Sequence, residues 1–192
     1  VNEEKTALRI VYRVVGKGTG EFSHYKAGRR IWVLGVLGNG YPLVEAVGKH
    51  ALLLGGGIGI PPLVELAKQL RKQEPLAKIT VSVGYRSNDL FLTEELSQYA
   101  DVLVATEDGS AGTKGNVMDA VGENKITPDI IYSCGPMPML KAIKRYAEEA
   151  GIPAYISLEE RMACGVGACL GCVCKTTQKD HHSHVNNARI CT

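Results

Sequence analysis

No apolar run in the sequence is long enough to cross a bilayer, and no signal-peptide pattern opens it. The first absence excludes a membrane-spanning helix as the organising feature. The second, with free thiols in a glycine loop, predicts a reducing, cytoplasmic setting rather than a secreted disulfide scaffold. A strong charge of either sign is also missing: 22 Lys and Arg against 20 Asp and Glu leave a formal net charge of +2. That balance gives no reason to expect nucleic acid or a membrane surface as partner. No internal repeat is visible, and no Rossmann G-x-G-x-x-G occurs where a nucleotide loop is expected.

What is present is ordinary for a globular protein. The chain has 192 residues, 45% hydrophobic and 22% charged, enough for one large or two small domains. It starts at Val1 and ends one residue past its last cysteine; both features predict a fragment.

The most informative stretch is E-E-R-M-A-C-G-V-G-A-C-L-G-C-V-C, from Glu159, followed by a polar segment and N-N-A-R-I-C. Cys164, Cys169 and Cys172 follow a C-x4-C-x2-C pattern, with Cys191 at a distance. This is the plant-type spacing for a [2Fe–2S] cluster on four thiolates. A small cluster needs several sulfurs within bonding distance of two irons, so the backbone must curl tightly. Gly165, Gly167 and Gly171 stand where such a curl needs positive φ and close approach of N–H groups. A structural zinc is the competing reading, but zinc sites usually come as paired C-x2-C arms and only one such step occurs. Disulfides are the other. Cys174 is expected to be a packed neighbour, because four thiolates complete the site.

In chain order, residues 8–15 and 30–37 read as strands, separated by the glycine-rich loop 16–20, a possible helical turn at 21–25 and a turn at Ala27-Gly28. They have no obvious strand partners, and an isolated pair of strands is marginal in water. From His50 the pattern alternates. Strands are expected at 51–54, 78–84, 102–106, 129–133 and 154–158. Helices are expected at 63–73, 94–99 (Thr93 as N-cap), 116–121 and 139–150. The stretch 107–115 is turn-rich. This alternation predicts a doubly wound parallel sheet with helices on both faces. The histidine-rich segment 179–184 reads as a solvated loop, with metal binding as the alternative.

Strand, glycine turn, helix is the arrangement that aims a helix N-terminus at a phosphate. Gly55, Gly56, Gly57 and Gly59, with Pro61 and Pro62 in the first helical turn, form one such junction. By itself it is equally a tight turn. Cys134, Gly135, Pro136 and Met137 form a second, also closing a buried strand. Two special loops at the carboxyl edge of one sheet suggest one nucleotide site. Cys134 is expected to line a nicotinamide pocket rather than to act as a nucleophile. Arg86 and Ser87 are either adenosine contacts or an exposed turn.

G-G-G-I-G-I-P-P, C-G-P-M-P and the cysteine motif together resemble the electron transfer subunits of NAD-dependent dihydroorotate dehydrogenase, within the ferredoxin–NADP reductase superfamily. The resemblance runs from about Leu8 to Cys191. It implies an α/β architecture in three parts: a partial FAD-binding β-barrel remnant (1–48), an NAD-binding domain (49–158) and a [2Fe–2S] segment (159–192). It implies that Cys164, Cys169, Cys172 and Cys191 ligate the cluster and that residues 55–62 and 134–137 form the NAD side. Val11, Tyr12, Arg13, Gly18 and Thr19 match the family's flavin-contacting strand and loop. The family's R-P-x-S flavin motif does not occur in this sequence, and the histidine-rich stretch looks like an insertion. The implied function is electron transfer in pyrimidine biosynthesis, from a dihydroorotate-oxidising FMN subunit through the cluster and FAD to NAD+, in a heterotetramer. The alternatives are a related reductase subunit of a hydrogenase or sulfur-reducing complex, told apart by its co-purifying partner, and a non-catalytic metal-binding module, told apart by a lack of NADH binding.

Overall fold

The chain divides into two units, residues 1–34 and 35–192. The computed structural model describes every residue except 1, 3, 5, 36, 178, 180–183 and 192. Of the histidine-rich segment, Asp180, His181, His182 and Ser183 therefore lie outside the described residues.

Among its described residues the first unit holds one helix, α1 (Lys17–Ser23). The glycine-rich stretch expected as a loop is thus mostly helical. Thr19 helps to start it: its Oγ1 accepts the N–H of Val15 at 3.0 Å and of Gly16 at 3.2 Å, next to the helix's own unsatisfied donors. Phe22 packs on Tyr12 and Tyr25, with ring centroids 4.7 and 5.5 Å away. The strands expected over 8–15 and 30–37 do not form among the described residues. Alternating apolar residues make a strand only when a neighbour completes the ladder. The consequence is exposure: Val15 is 75% accessible and Trp32 fully so.

The second unit opens with a 3-10 turn, Leu43–Ala46. Its approach is tied down by two tyrosines. The Tyr41 hydroxyl donates to the Ser133 carbonyl at 2.7 Å, and the Tyr132 hydroxyl donates to the Pro42 carbonyl at 2.9 Å. The sheet then unfolds in order: β1 (Ala51–Gly56), α2 (Ile60–Gln73), β2 (Ile79–Tyr85), α3 (Thr93–Ser97), β3 (Asp101–Thr106), β4 (Thr113–Lys114), α4 (Val117–Glu123), β5 (Ile130–Cys134), α5 (Met137–Ala150) and β6 (Ala154–Ser157). The strand order is β4-β3-β2-β1-β5-β6, all parallel.

Strand β1 is buried along its whole length because both faces are covered. Leu53 joins Leu63, Leu66 and Leu70 of α2 in one core, while Leu52 and Leu54 join Val117, Val121 and Ile143 of α4 and α5 in the other. That is why A-L-L-L is an unbroken apolar run rather than an alternating one. Helix α2 buries Ile60, Leu63, Val64, Ala67 and Leu70, the i, i+3, i+4 repeat of an amphipathic helix. Asn116 caps α4, accepting the Met118 N–H at 2.8 Å, while Asp119 accepts the Asn116 N–H at 2.7 Å. Gly151, at φ +67°, ends α5.

Helices α2 and α5 begin two or three residues earlier than expected, because proline is tolerated in a first helical turn. Thr93 lies inside α3; the cap is Leu92, at φ +63° and without a side-chain bond. Past the sheet, β7 (Val173–Lys175) and β8 (Asn187–Arg189) form an antiparallel hairpin that was not expected. Among the described residues no helix is long and apolar enough to cross a membrane.

Candidate functional site

The chain runs from β1 outward to β2, β3 and β4, then returns to the other side of β1 with β5 and β6. The reversal opens a crevice beyond the carboxyl ends of β1 and β5, where open α/β sheets bind ligands. Both special loops stand there. They touch backbone to backbone: a Cβ on Gly59 would collide with the Cys134 carbonyl, and one on Gly135 would collide with Met139 and approach the Gly56 N–H. One on Gly56 would meet Met139 Sδ and Pro136. Gly59 is therefore required by packing against backbone, whereas at Gly56 and Gly135 it is chiefly the Met139 side chain that would have to give way.

Gly57 differs. Its φ is +54°, it is exposed, and nothing lies within 4 Å of where its Cβ would be. Here a ligand can approach the bare backbone. The fit to a dinucleotide pyrophosphate is good, with one refinement. Pro61 and Pro62 carry no N–H, so the first turn of α2 contributes its dipole but few donors. The donors must come from the loop.

Across the crevice Cys134 is half-buried, and burial pushes its thiol up, only partly offset by the Ser157 hydroxyl. A protonated, sheltered thiol is a poor nucleophile. Pro136 and Met137 are exposed beside it. Arg86 and Ser87 are exposed just past β2. The turn-rich stretch 107–115 lies at the same edge. Its Gly109, Gly112 and Gly115 all have positive φ. Thr106 Oγ1 pins the stretch, donating to the Ala111 carbonyl at 2.7 Å and accepting its N–H at 3.1 Å. The clustering of glycine there was the signal available in the sequence.

The cysteines form the second arrangement. Cys172 and Cys191 are buried, Cys164 half-buried and Cys169 exposed. The β7–β8 hairpin explains the long gap before Cys191: it folds the chain back so that the Ile190 N–H donates to the Cys172 carbonyl at 3.1 Å. Backbone N–H groups point at the sulfurs. Val166 and Cys169 donate to Cys164 Sγ at 3.5 and 3.4 Å, Gly171 to Cys169 Sγ at 3.4 Å, and Gly167 to Cys191 Sγ at 3.2 Å. The bonds from Cys169 and Val166 hold the Cys164 thiol down at about 6. Gly165 and Gly167 have positive φ as expected, but Gly171 does not; Leu170, at φ +57°, makes that turn instead.

The loop is tied within itself by backbone bonds: the Cys169 N–H donates to Cys164 Sγ, and the Ile190 N–H to the Cys172 carbonyl. Among the described residues, no three His, Cys, Asp or Glu side chains gather around one point. Backbone N–H groups aimed at Cys164, Cys169 and Cys191 suit the negative charge of thiolates, and a two-iron cluster takes four of them in all. All six cysteines are free thiols. Cys174 sits within β7, opposite Ala188.

The flavin residues fit less well. Val11 and Arg13 are exposed and Tyr12 half-exposed on an irregular stretch, and Gly18 and Thr19 belong to α1.

Residues 159–192 match the iron–sulfur cluster binding domain of dihydroorotate dehydrogenase B, and residues 53–145 match the oxidoreductase NAD-binding domain. The electron transfer subunit of dihydroorotate dehydrogenase B (NAD(+)) from Fusobacterium nucleatum is 44% identical over 191 residues, covering 96% of this chain and 72% of that protein. The Bacillus pumilus protein of the same name is 46% identical over 183 residues, covering 94% of this chain and 69% of its own length. The solved structure of an NADH-dependent reduced ferredoxin-NADP oxidoreductase is 32% identical, with a TM-score of 0.75, covering 93% of this chain and 66% of that one.

Proposed function

Because the chain belongs to the family of electron transfer subunits of dihydroorotate dehydrogenase B, we propose that it carries electrons from a dihydroorotate-oxidising catalytic subunit to NAD+, in the cytoplasm and within a heterotetramer. The observation that carries the reading is the four N–H···S bonds gathered on the cysteine loop, on the same chain as an open glycine crevice. When bound, the cluster supplies one-electron transfer and NAD+ accepts an electron pair as hydride.

The chain's own residues prepare both. Cys164, Cys169, Cys172 and Cys191 are the proposed ligands, and the N–H groups of Val166, Gly167, Cys169 and Gly171 stabilise the negative charge that thiolates bring. The exposure of Cys169 leaves one edge of this loop open for electron exchange with a partner. In the nucleotide part, 49–158, Gly57 admits the pyrophosphate, and Cys134, Gly135, Pro136 and Met137 wall the nicotinamide side. Val11, Tyr12, Arg13, Gly18 and Thr19 remain the proposed flavin contacts, and no step is routed through them.

Anaerobic reconstitution tests the first half: about two irons and two acid-labile sulfides per chain are expected, and an iron-free protein would sink the reading. NADH fluorescence titration tests the second. Co-purification with a dihydroorotate-oxidising subunit, rather than a hydrogenase, tests the partner.

A further inference from the structure

Arg189 stands between the two halves of the cysteine arrangement. It is the last residue of β8, two before Cys191, and its register partner on β7 is Val173, next to Cys172. Its guanidinium Nη1 donates to the Gly167 carbonyl at 3.2 Å, and the Gly167 N–H donates to Cys191 Sγ at 3.2 Å. Gly167 is at φ +75°, a left-handed turn that favours glycine. The half-buried guanidinium therefore clamps the residue that hydrogen-bonds a ligand sulfur, and sets a fixed positive charge one residue away from that sulfur.

We propose that Arg189 is a positioning residue for the cluster and that its charge raises the cluster's reduction potential. This inference rests on the cluster reading above. The reduced cluster carries one more negative charge than the oxidised one, so a nearby cation stabilises the reduced form more. The groups that orient the ligands of a metal centre commonly tune it as well. Arginine suits the position because its planar fork stays charged at every accessible pH.

The test compares the wild type with Arg189→Gln and Arg189→Lys after anaerobic reconstitution. Iron and sulfide are counted, and the midpoint is read by redox titration of the reduced cluster's paramagnetic signal. Arg145→Gln is the control, since that side chain is 78% exposed on α5. The expected result is a more negative midpoint in Arg189→Gln, a midpoint nearer the wild type in Arg189→Lys, and no shift in the control. An unchanged midpoint in Arg189→Gln overturns the proposal, whether its iron content is full or reduced, because a purely structural role would lower content only. If Arg189→Gln takes up no cluster, retention by Arg189→Lys upholds the need for charge and loss in both overturns it. A wild type that takes up no iron or sulfide overturns the cluster reading, and this inference with it.

Discussion

Residues 1–34 and 35–192 are built from similar apolar residues and end differently. The first unit has no buried position among its described residues, whereas β1 of the second is inaccessible from end to end. Ile10, Val14, Ile31 and Val33 are as strand-prone as the residues of β2, yet they remain exposed. The difference is the ladder. Each central strand has a neighbour on both sides and helices on both faces, and the residues of 8–15 and 30–34 have neither. Strand propensity reports how well a side chain fits a pleated, half-buried surface, so it has little effect where that surface is missing.

The largest contrast to test lies inside the second unit. Cys191→Ser is expected to lose most or all of the reconstituted cluster, while Cys174→Ser retains it; visible absorption and iron content measure both. Normal content in the first with loss in the second would reverse the ligand assignment. Next comes burial. Leu53→Ala, fully buried in β1, should cost about 2–5 kcal/mol in urea unfolding, against about 0.5 kcal/mol or less for Val15→Ala in the first unit. Equal costs would erase the distinction between the units.

FAD gives a direct probe of the first unit. This chain is expected to bind it weakly or not at all, because ordering an unformed site costs about 1–2 kcal/mol per backbone residue. Tight FAD binding in a fluorescence titration would show that residues 11–13 and 18–19 form a site without ladder partners. Gly57→Val is smaller in scope: NADH affinity should fall by about tenfold or more, roughly 1.4 kcal/mol, with cluster content unchanged. Unaltered NADH binding would reduce the loop to a turn.

The smallest effect concerns His50, buried at the amino end of β1. Its Nδ1 faces the Thr127 carbonyl at 3.1 Å and its Nε2 the Thr80 hydroxyl at 2.8 Å. The first contact needs a donor, so the neutral ring carries its proton on Nδ1 and accepts from Thr80. Burial lowers its pKa below the usual 6.5. The unfolded chain therefore binds the proton more readily, and stability should fall as pH drops below about 6.5, levelling off below the folded value. His50→Gln should flatten that part of the stability–pH curve. A curve unchanged by the substitution would assign the acid sensitivity elsewhere.

Much of the second unit was legible because its signals are local. The apolar run of β1 and the spacing of Leu63, Leu66 and Leu70 each need only a few consecutive residues. What escaped was short or conditional. Strands β4, β7 and β8 have two or three residues and carry no periodicity. Leu92 and Leu170 take up left-handed turns for which leucine gives no cue. Helix α1 formed over glycines because the Thr19 hydroxyl took the N–H groups at its start.

Residue type and spacing alone were enough to mark four cysteines, two glycine junctions and the alternation of a parallel sheet, because thiolate ligation, close backbone approach and two-sided burial each demand particular side chains at particular intervals. Three dimensions decided the rest. Why Cys191 comes back beside Cys172, which glycine faces open space and which is wedged between loops, and that Arg189 grips Gly167 all depend on contacts between residues far apart in the chain. Such contacts exist only once the hairpin and the sheet have closed, and no local pattern encodes the distance between them.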